Sequence, residues 1–315
     1  MKLAIVGATG LVGKTAIEVI QERNLEFTDY LLYSTGKQVE TLRIYGKDYP
    51  VLPLGDKIPD CDFALFSAGE RVSKRYAPLF AQKGCVVVDN SSAFRMDKDV
   101  PLIIPEINLE RIHEHKGIIA NPNCSTIIML LPLAPIHRNY RIKKIFVATY
   151  QSVSGAGREA LLDLEREEPE YFSSPIKENL IPVIGEIKEN GYSKEEMKMI
   201  NETHKILEDE NIEIYPTCIR VPVRYAHSEA ITVETEGQMD MEEVKSLLKD
   251  AEGVVYSEEP LTPIQVAGRD EVFVSRLRLH RGRNILSMWV IGDNLRKGAA
   301  TNALQIINYL TTTPT

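Results

Sequence analysis

The chain has 315 residues, 43% hydrophobic and 26% charged, an ordinary globular composition long enough for two cores. Its longest apolar runs, such as Ile127 to Leu133, fall well short of the ~20 residues needed to cross a bilayer, which argues against a membrane protein. A net charge of −8 has the wrong sign for general attraction to nucleic acid, and the four cysteines (Cys61, Cys85, Cys124, Cys218) have neither CxxC pairing nor metal-ligand spacing.

Met1 to Gly7 carries one basic residue and then a short apolar run ending in glycine. That reads as a first strand and not as a signal peptide, so a cytoplasmic protein is expected. Gly7, Gly10 and Gly13 then form a turn opening a helix through Lys14 to Gln21. Gly7 permits the tight turn, Gly10 lets a pyrophosphate approach the backbone, and Gly13 allows close packing of helix on strand. Directly after an apolar strand, this triad predicts a dinucleotide site.

A second strand is predicted at Tyr30 to Tyr33. Where an NAD-binding unit would place an acid for the ribose hydroxyls, the chain reads Ser34-Thr35-Gly36-Lys37. Small hydroxyls and a lysine suit a 2′-phosphate, so NADP is expected over NAD. Asp62 to Gly69 is another strand, with Ser67 among the small residues at its carboxyl end, followed by a helix from Arg71 to Lys83. Cys85 to Ser92 repeats the device. Ligands lie at such carboxyl ends in an open parallel sheet, so a Rossmann-type doubly wound domain is expected up to about residue 120, with Arg95 near its crevice.

Asn121-Pro122-Asn123-Cys124-Ser125-Thr126 separates the strand-like Gly117 to Ala120 from an apolar run at Ile127 to Leu131. Cys124 is therefore predicted in a turn at the first residues of a helix. Unpaired N–H groups and the helix dipole stabilise a thiolate there, the reactive form of cysteine, although most free cysteines are simply small buried hydrophobes.

From about residue 140 the pattern becomes longer and β-rich: Ile142 to Ser152, Cys218 to Val223, Ala230 to Thr235, Val272 to Leu279 and Ile285 to Ile291. Helices are predicted at about Gly157 to Glu168 and Ser193 to Glu208. An α+β domain with a mostly antiparallel sheet follows. Leu295 to Leu310 has helical spacing and is expected to return to the first domain. The domain limits read as 1–122 plus 295–315, and 123–294.

Tyr150 to Gly157 ends a strand with a small-residue loop whose backbone N–H groups suit a cofactor or nothing more than a βα connection. Glu195 and Lys198 share a helix face, which on spacing alone is a solvated ion pair. Arg220 interrupts an apolar strand. His227, between two strands, is the best base candidate, since His113, His115, His137, His204 and His280 lie in charged, exposed surroundings. A cysteine and a histidine brought together in space are the usual arrangement for thiol catalysis.

Seven segments taken together resemble the aspartate-semialdehyde dehydrogenase family in order and spacing. They are Gly7 to Gly13, Asn90 to Arg95, Asn121 to Thr126, Gln151 to Gly157, Glu195 to Lys198, Arg220 with His227-Ser228, and Asn294 to Gly298. The resemblance implies Cys124 as the acyl-carrying nucleophile, Gln151 as its orienting residue and His227 as acid/base. It implies Arg220 on the substrate carboxylate, Glu195 on its amine, Arg95 and Lys198 on phosphate, and Ser154, Gly155, Asn294 and Gly7, Thr9, Gly10, Leu11 and Val12 on the cofactor. The loop after the second strand departs from the family's pattern, being about two residues short and lacking an arginine. The implied activity is NADP-dependent, phosphate-dependent interconversion of aspartate 4-semialdehyde and 4-phospho-aspartate, in a homodimer or homotetramer. The competing readings are N-acetyl-γ-glutamyl-phosphate reductase and a non-catalytic NADP-binding sensor. Asn123 before the cysteine and Ser125-Thr126 after it favour the aspartate enzyme.

Overall fold

The computed structural model describes residues 1–36, 40–55, 57–280 and 282–312. The chain forms two units, Met1–Pro122 with Ala299–Thr315, and Asn123–Gly298. Among the described residues, no helix is long and apolar enough to cross a membrane.

In the first unit, β1 (Lys2–Val6) has four consecutive buried residues, as a strand covered on both faces must. The chain turns at Gly7 into α1 (Leu11–Glu22), then makes β2 (Asp29–Ser34) parallel to β1. β3 (Glu40–Ile44) and β4 (Lys47–Pro53) form an antiparallel hairpin, and β4 also pairs parallel to β2. β5 (Phe63–Phe66), α2 (Glu70–Gln82), β6 (Val86–Asp89), the short α3 (Pro105–Asn108) and β7 (Ile118–Ala120) complete the run. The strand order is β3-β4-β2-β1-β5-β6-β7, with only the β3–β4 pair antiparallel. One core holds Ala16, Ile17 and Ile20 of α1 with Leu3, Ile5 and Leu65. The other holds Ala77 and Phe80 of α2 with Ala4, Val6 and Phe66. Helices on both faces make this the doubly wound sheet that the βα alternation predicts.

The β3–β4 hairpin was not predicted. Its strands expose most of their residues at the sheet edge, so they lack the apolar stripe that marks a strand in sequence. Lys37, one of the residues read as facing a 2′-phosphate, lies outside the described residues.

The second unit opens with α4 (Cys124–Tyr140), β8 (Ile142–Gln151), the short α5 (Arg158–Leu162) and α6 (Lys194–Leu207). β9 (Glu213–Arg220), β10 (His227–Thr235), α7 (Met241–Asp250), β11 (Val254–Tyr256), α8 (Pro263–Val266), β12 (Val272–Leu279) and β13 (Ile285–Gly292) follow. Its six-stranded sheet runs β11-β12-β13-β10-β8-β9, antiparallel except for β11–β12 and β8–β9.

Three expectations need correction here. The helix predicted to reach Glu168 stops at Leu162. The Asp163 carboxylate accepts N–H groups from Glu170, Tyr171 and Phe172, so the chain folds back over that residue. β9 begins at Glu213 and ends at Arg220 instead of spanning Cys218 to Val223; Pro222 has no N–H to continue a ladder, and Pro216 is tolerated because β9 is an edge strand. His227 is the first residue of β10 and not a loop residue, the chain reversing just before it at Ala226, φ +67°.

After a π-helical turn at Arg296–Ala300 comes α9 (Thr301–Thr312). Its Ala303, Leu304, Ile306 and Ile307 are buried in the core that holds Leu3 and Ile5.

Candidate active site

Cys124 is the first residue of α4, and the reason is local. The Asn123 side chain caps the helix, its Oδ1 accepting the N–H groups of Ser125 at 3.0 Å and Thr126 at 3.3 Å. α6 holds that cap in turn. Asn123 Nδ2 donates to Glu195 Oε1 at 2.8 Å, and its backbone N–H donates to Glu202 Oε2 at 2.6 Å. Glu195 and Glu202, seven residues apart, lie on one face of α6. Cys124 is half-buried in reduced form, at the helix end where the dipole favours a thiolate. Gly298 makes room for it: a Cβ there would come within 2.9 Å of Cys124 Cβ.

The inner face of the second sheet supplies the other groups. Gln151 on β8 pairs with Arg220 on β9, and extending the Ser228–Tyr150 register by one residue sets His227 level with Gln151. All three are buried. Gln151 Nε2 donates to Thr149 Oγ1 at 3.3 Å and to Glu195 Oε1 at 3.4 Å. Arg220 Nη1 donates to the Ser152 carbonyl at 2.7 Å. Burial pulls the Arg220 guanidinium below its ordinary value, while the charges of Glu195 and Cys124 push back. Burial would raise the Glu195 carboxyl, but Lys198 at 2.8 Å, Asn123 and Arg220 together bring it down to about 2. Glu195 is thus an anion held among cations.

His227 is fully buried, with Nδ1 facing Ser152 N at 3.0 Å. Burial first, and then the Arg220 charge, lower its ring to about 3 despite Glu195, so the imidazole is neutral at physiological pH. Gly155 lies over it, where a Cβ would be 3.1 Å from Nε2 and 3.0 Å from Arg220 Nη1. Ser154 and Asn294 are buried and bonded to each other at 3.0 Å. The remaining histidines are less uniform than expected: His113 and His280 are exposed, but His115, His137 and His204 are half-buried.

One row deeper on the same sheet face run Cys218, Thr149, Glu229 and Val290 in register. Both Glu229 carboxylate oxygens are buried without a hydrogen-bond partner, and burial raises that carboxyl well above the usual range. A raised folded value gives a contribution fully present below the ordinary carboxylate range and lost as pH climbs above it. Glu229→Gln should therefore melt higher than the parent at neutral pH, the gap widening by up to ~1.4 kcal/mol per pH unit. Thermal melts from about pH 5 to 8 check this; a gap independent of pH would refute it.

In the first unit, Gly7 has φ +96°, and a Cβ on it would meet Ser67 at 2.8 Å. A Cβ on Gly13 would come within 2.3 Å of Gly7 O, so both positions admit only glycine. No side chain caps the N-terminus of α1 at Gly10, which leaves the N–H groups at Leu11, Val12 and Gly13 available to an anion such as a pyrophosphate. Thr9 lies in the turn itself, and Ser67 closes its far side, its Oγ donating to Val6 O at 3.3 Å. Ser34 ends β2 buried, with Thr35 exposed beside it. These residues fit a dinucleotide. Arg95 is buried, with Nε on the Asn121 carbonyl at 2.9 Å and Nη2 on the Asn90 carbonyl at 3.0 Å.

The second unit thus brings together Cys124, Gln151, Glu195, Lys198, Arg220, His227, Ser154, Gly155 and Asn294, while Arg95 and the glycine turn belong to the first. Sequence reasoning missed Asn123 as the cap, Glu202 as its anchor, Ser152 against the histidine, and Glu229. The Asn-x-x-Thr spacing before an apolar run was a legible sign of the first of these.

A semialdehyde dehydrogenase NAD-binding domain model matches residues 2–115, and a semialdehyde dehydrogenase dimerisation domain model matches residues 133–297. The aspartate-semialdehyde dehydrogenase of Aquifex aeolicus is 47% identical, covering 98% of this chain and 97% of its own. That of Bacillus subtilis is 40% identical over the same shares. The crystal structure of Vibrio cholerae aspartate semialdehyde dehydrogenase II complexed with ASA superposes with a TM-score of 0.95 at 42% identity, covering 98% of each chain. With a capped cysteine at a helix start, a buried row of arginine, glutamine and histidine, and a glycine turn fitted to a dinucleotide, this chain belongs to the aspartate-semialdehyde dehydrogenase family.

Proposed function

We propose that the chain interconverts L-aspartate 4-semialdehyde and 4-phospho-L-aspartate, with NADP and inorganic phosphate, through a thioester on Cys124. One observation carries this reading: a cysteine at a helix N-terminus shares one buried cluster with a cation for a carboxylate, Arg220, and an anion for an ammonium, Glu195. The substrate has both charges. The Vibrio cholerae relative's complex with ASA supports the same substrate, and the names of the relatives do not favour the acetylglutamyl-phosphate alternative.

In the oxidative direction the Cys124 thiolate adds to the aldehyde carbon and charge moves onto its oxygen. A bound nicotinamide supplies a hydride acceptor, so that the carbon reaches the acyl level as a thioester. A phosphate oxygen then attacks the acyl carbon, the C–S bond breaks, and the thiolate returns. Gln151 and the Asn123 cap hold the nucleophile's surroundings, while Lys198 meets phosphate from the second unit. Covalent capture splits one difficult redox acyl transfer into two easier steps. Biosynthesis of the aspartate-derived amino acids lysine, threonine and methionine uses the reverse direction.

Arg220→Lys should raise the semialdehyde KM with a smaller effect on kcat, because a planar fork becomes a point charge; an unchanged KM would remove Arg220 from the carboxylate. NADP is preferred because Ser34 and Thr35 stand where NAD enzymes place an acid. A spectrophotometric assay with semialdehyde, phosphate and each nicotinamide in turn tests the whole reading. Turnover without phosphate, or none with either nucleotide, sinks the reaction, and a higher kcat/KM with NAD sinks the cofactor preference alone. The outer face of the second sheet exposes Phe146 stacked on Tyr215, with Tyr150 leaning on Trp289, which supports a second copy of the chain as partner there.

A further inference from the structure

Cys61 and Cys85 take no part in the reaction proposed above. They are 24 positions apart in the chain, yet as free thiols their sulfurs stand 3.2 Å apart. The topology of the first unit is the reason. Each residue precedes one strand of the parallel β5–β6 pair, in which Phe63 lies level with Val86, and the Val86 N–H donates to the Asp62 carbonyl at 2.9 Å. The pairing therefore extends back to set Asp62 level with Cys85, with Cys61 one step further out. Neighbouring strands lie about 4.8 Å apart, which is within the span that a disulfide bridges. Both thiols pack in the core shared by Ala64, Val87 and Phe80 of α2, so they lie on one face of the sheet.

The two thiols are unequal. Cys85 is 1% exposed, whereas Cys61 is half-buried, so a reagent in solvent reaches Cys61 first. Contact with Cys85 holds the Cys61 thiol below its ordinary value, against burial and the carboxylates of Asp62 and Asp60 and with help from Lys2. The same contact, and then burial, push the Cys85 thiol up. The sulfur that ionises more readily is thus the accessible one, and the thiolate is the form that attacks a disulfide.

We propose that Cys61 and Cys85 form an oxidisable dithiol, which a small-molecule disulfide closes into a reversible staple between the amino ends of β5 and β6. The Cys61 thiolate attacks one sulfur of the small disulfide, forming a mixed disulfide and releasing the other half as a thiolate. Cys85 then gives its proton to solvent, and its sulfur attacks the Cys61 sulfur and expels the second half. The two cysteines have lost two electrons and two protons, and the small disulfide has become two thiols. An excess of small thiol drives the exchange backwards. In a parallel sheet the ligand lies at the opposite, carboxyl ends of the strands, where Ser67 follows β5. The staple therefore stabilises the first unit without altering its nucleotide site, and it is independent of the reaction assigned to Cys124.

The test treats the full-length protein with oxidised glutathione and reads the masses of the intact chain and of its proteolytic peptides. The expected result is a peptide cross-linked from Cys61 to Cys85, with no glutathione on either residue, that dithiothreitol reopens. Cys85→Ala removes the resolving thiol and should trap glutathione on Cys61. Cys61→Ser should leave the buried Cys85 unmodified, and this change at a half-buried position keeps the test open if the core variant fails to fold. The oxidised parent should melt roughly 5 to 10 °C above its reduced form, as closure of a loop of this length implies, and Cys61→Ser should show no such gain. Glutathione that stays on Cys61 of the parent, or both thiols unmodified where Cys124 has reacted, overturns the proposal. So does a cross-link that leaves the melting temperature unchanged or weakens nucleotide binding.

Discussion

Cys124→Ser should abolish turnover while leaving nicotinamide nucleotide binding unchanged. The substitution is nearly isosteric, so the Asn123 cap, with its bonds to Glu195 and Glu202, has no reason to move. The reactivity changes completely. A thiol ionises near neutrality and is a strong nucleophile once ionised, and both the α4 N-terminus and the Arg220 charge favour its anion. A serine hydroxyl would need a strong neighbouring base to reach the same state, and His227, lowered to about 3, is too weak to act as one. The checks are a spectrophotometric assay and a nucleotide titration on the same sample. Activity within about tenfold of the parent would remove Cys124 from the chemistry, since loss of a nucleophile costs far more than that.

His227→Asn should lower kcat by about 10²- to 10⁴-fold, the range for loss of a group that handles charge or protons in the transition state. Asparagine is shorter and does not titrate, so it cannot exchange a proton at the place the ring occupies. The substrate's fixed charges are met elsewhere, by Arg220 and Glu195, so KM for the semialdehyde should move little. Steady-state kinetics at saturating phosphate separate the two parameters. An unaltered kcat would exclude His227 from the reaction, and a KM effect alone would make it a binding residue.

The parts of this site that were legible in the sequence are those where backbone and chemistry agree. A glycine triad behind an apolar strand, or a cysteine after Pro122-Asn123 and before a long apolar run, forces a particular turn and also leaves N–H groups facing an anion. Arg220 was legible as a charged residue on an apolar strand, and Gln151 only through the family resemblance. What was hidden depends on tertiary neighbours. Glu202 and Glu229 are buried, yet nothing in the local pattern tells a buried acid from the solvated ones around it. Asp163 cuts a helix short by collecting N–H groups from residues seven to nine positions ahead, and no propensity scale registers such a bond. Ser152 looked like one more small residue in a glycine-rich loop, and its importance appears only once His227 is placed against its peptide.

The split origin of the first unit bears on the order of assembly at the ribosome. Residues 1–122 are made before 123–298, but their core lacks Ala303, Leu304, Ile306 and Ile307 until α9 has been made. The contiguous 123–298 segment has no such wait. The nucleotide-binding half is therefore begun before the second unit and completed after it, and a chain that stops short of α9 leaves Leu3 and Ile5 without part of their apolar cover.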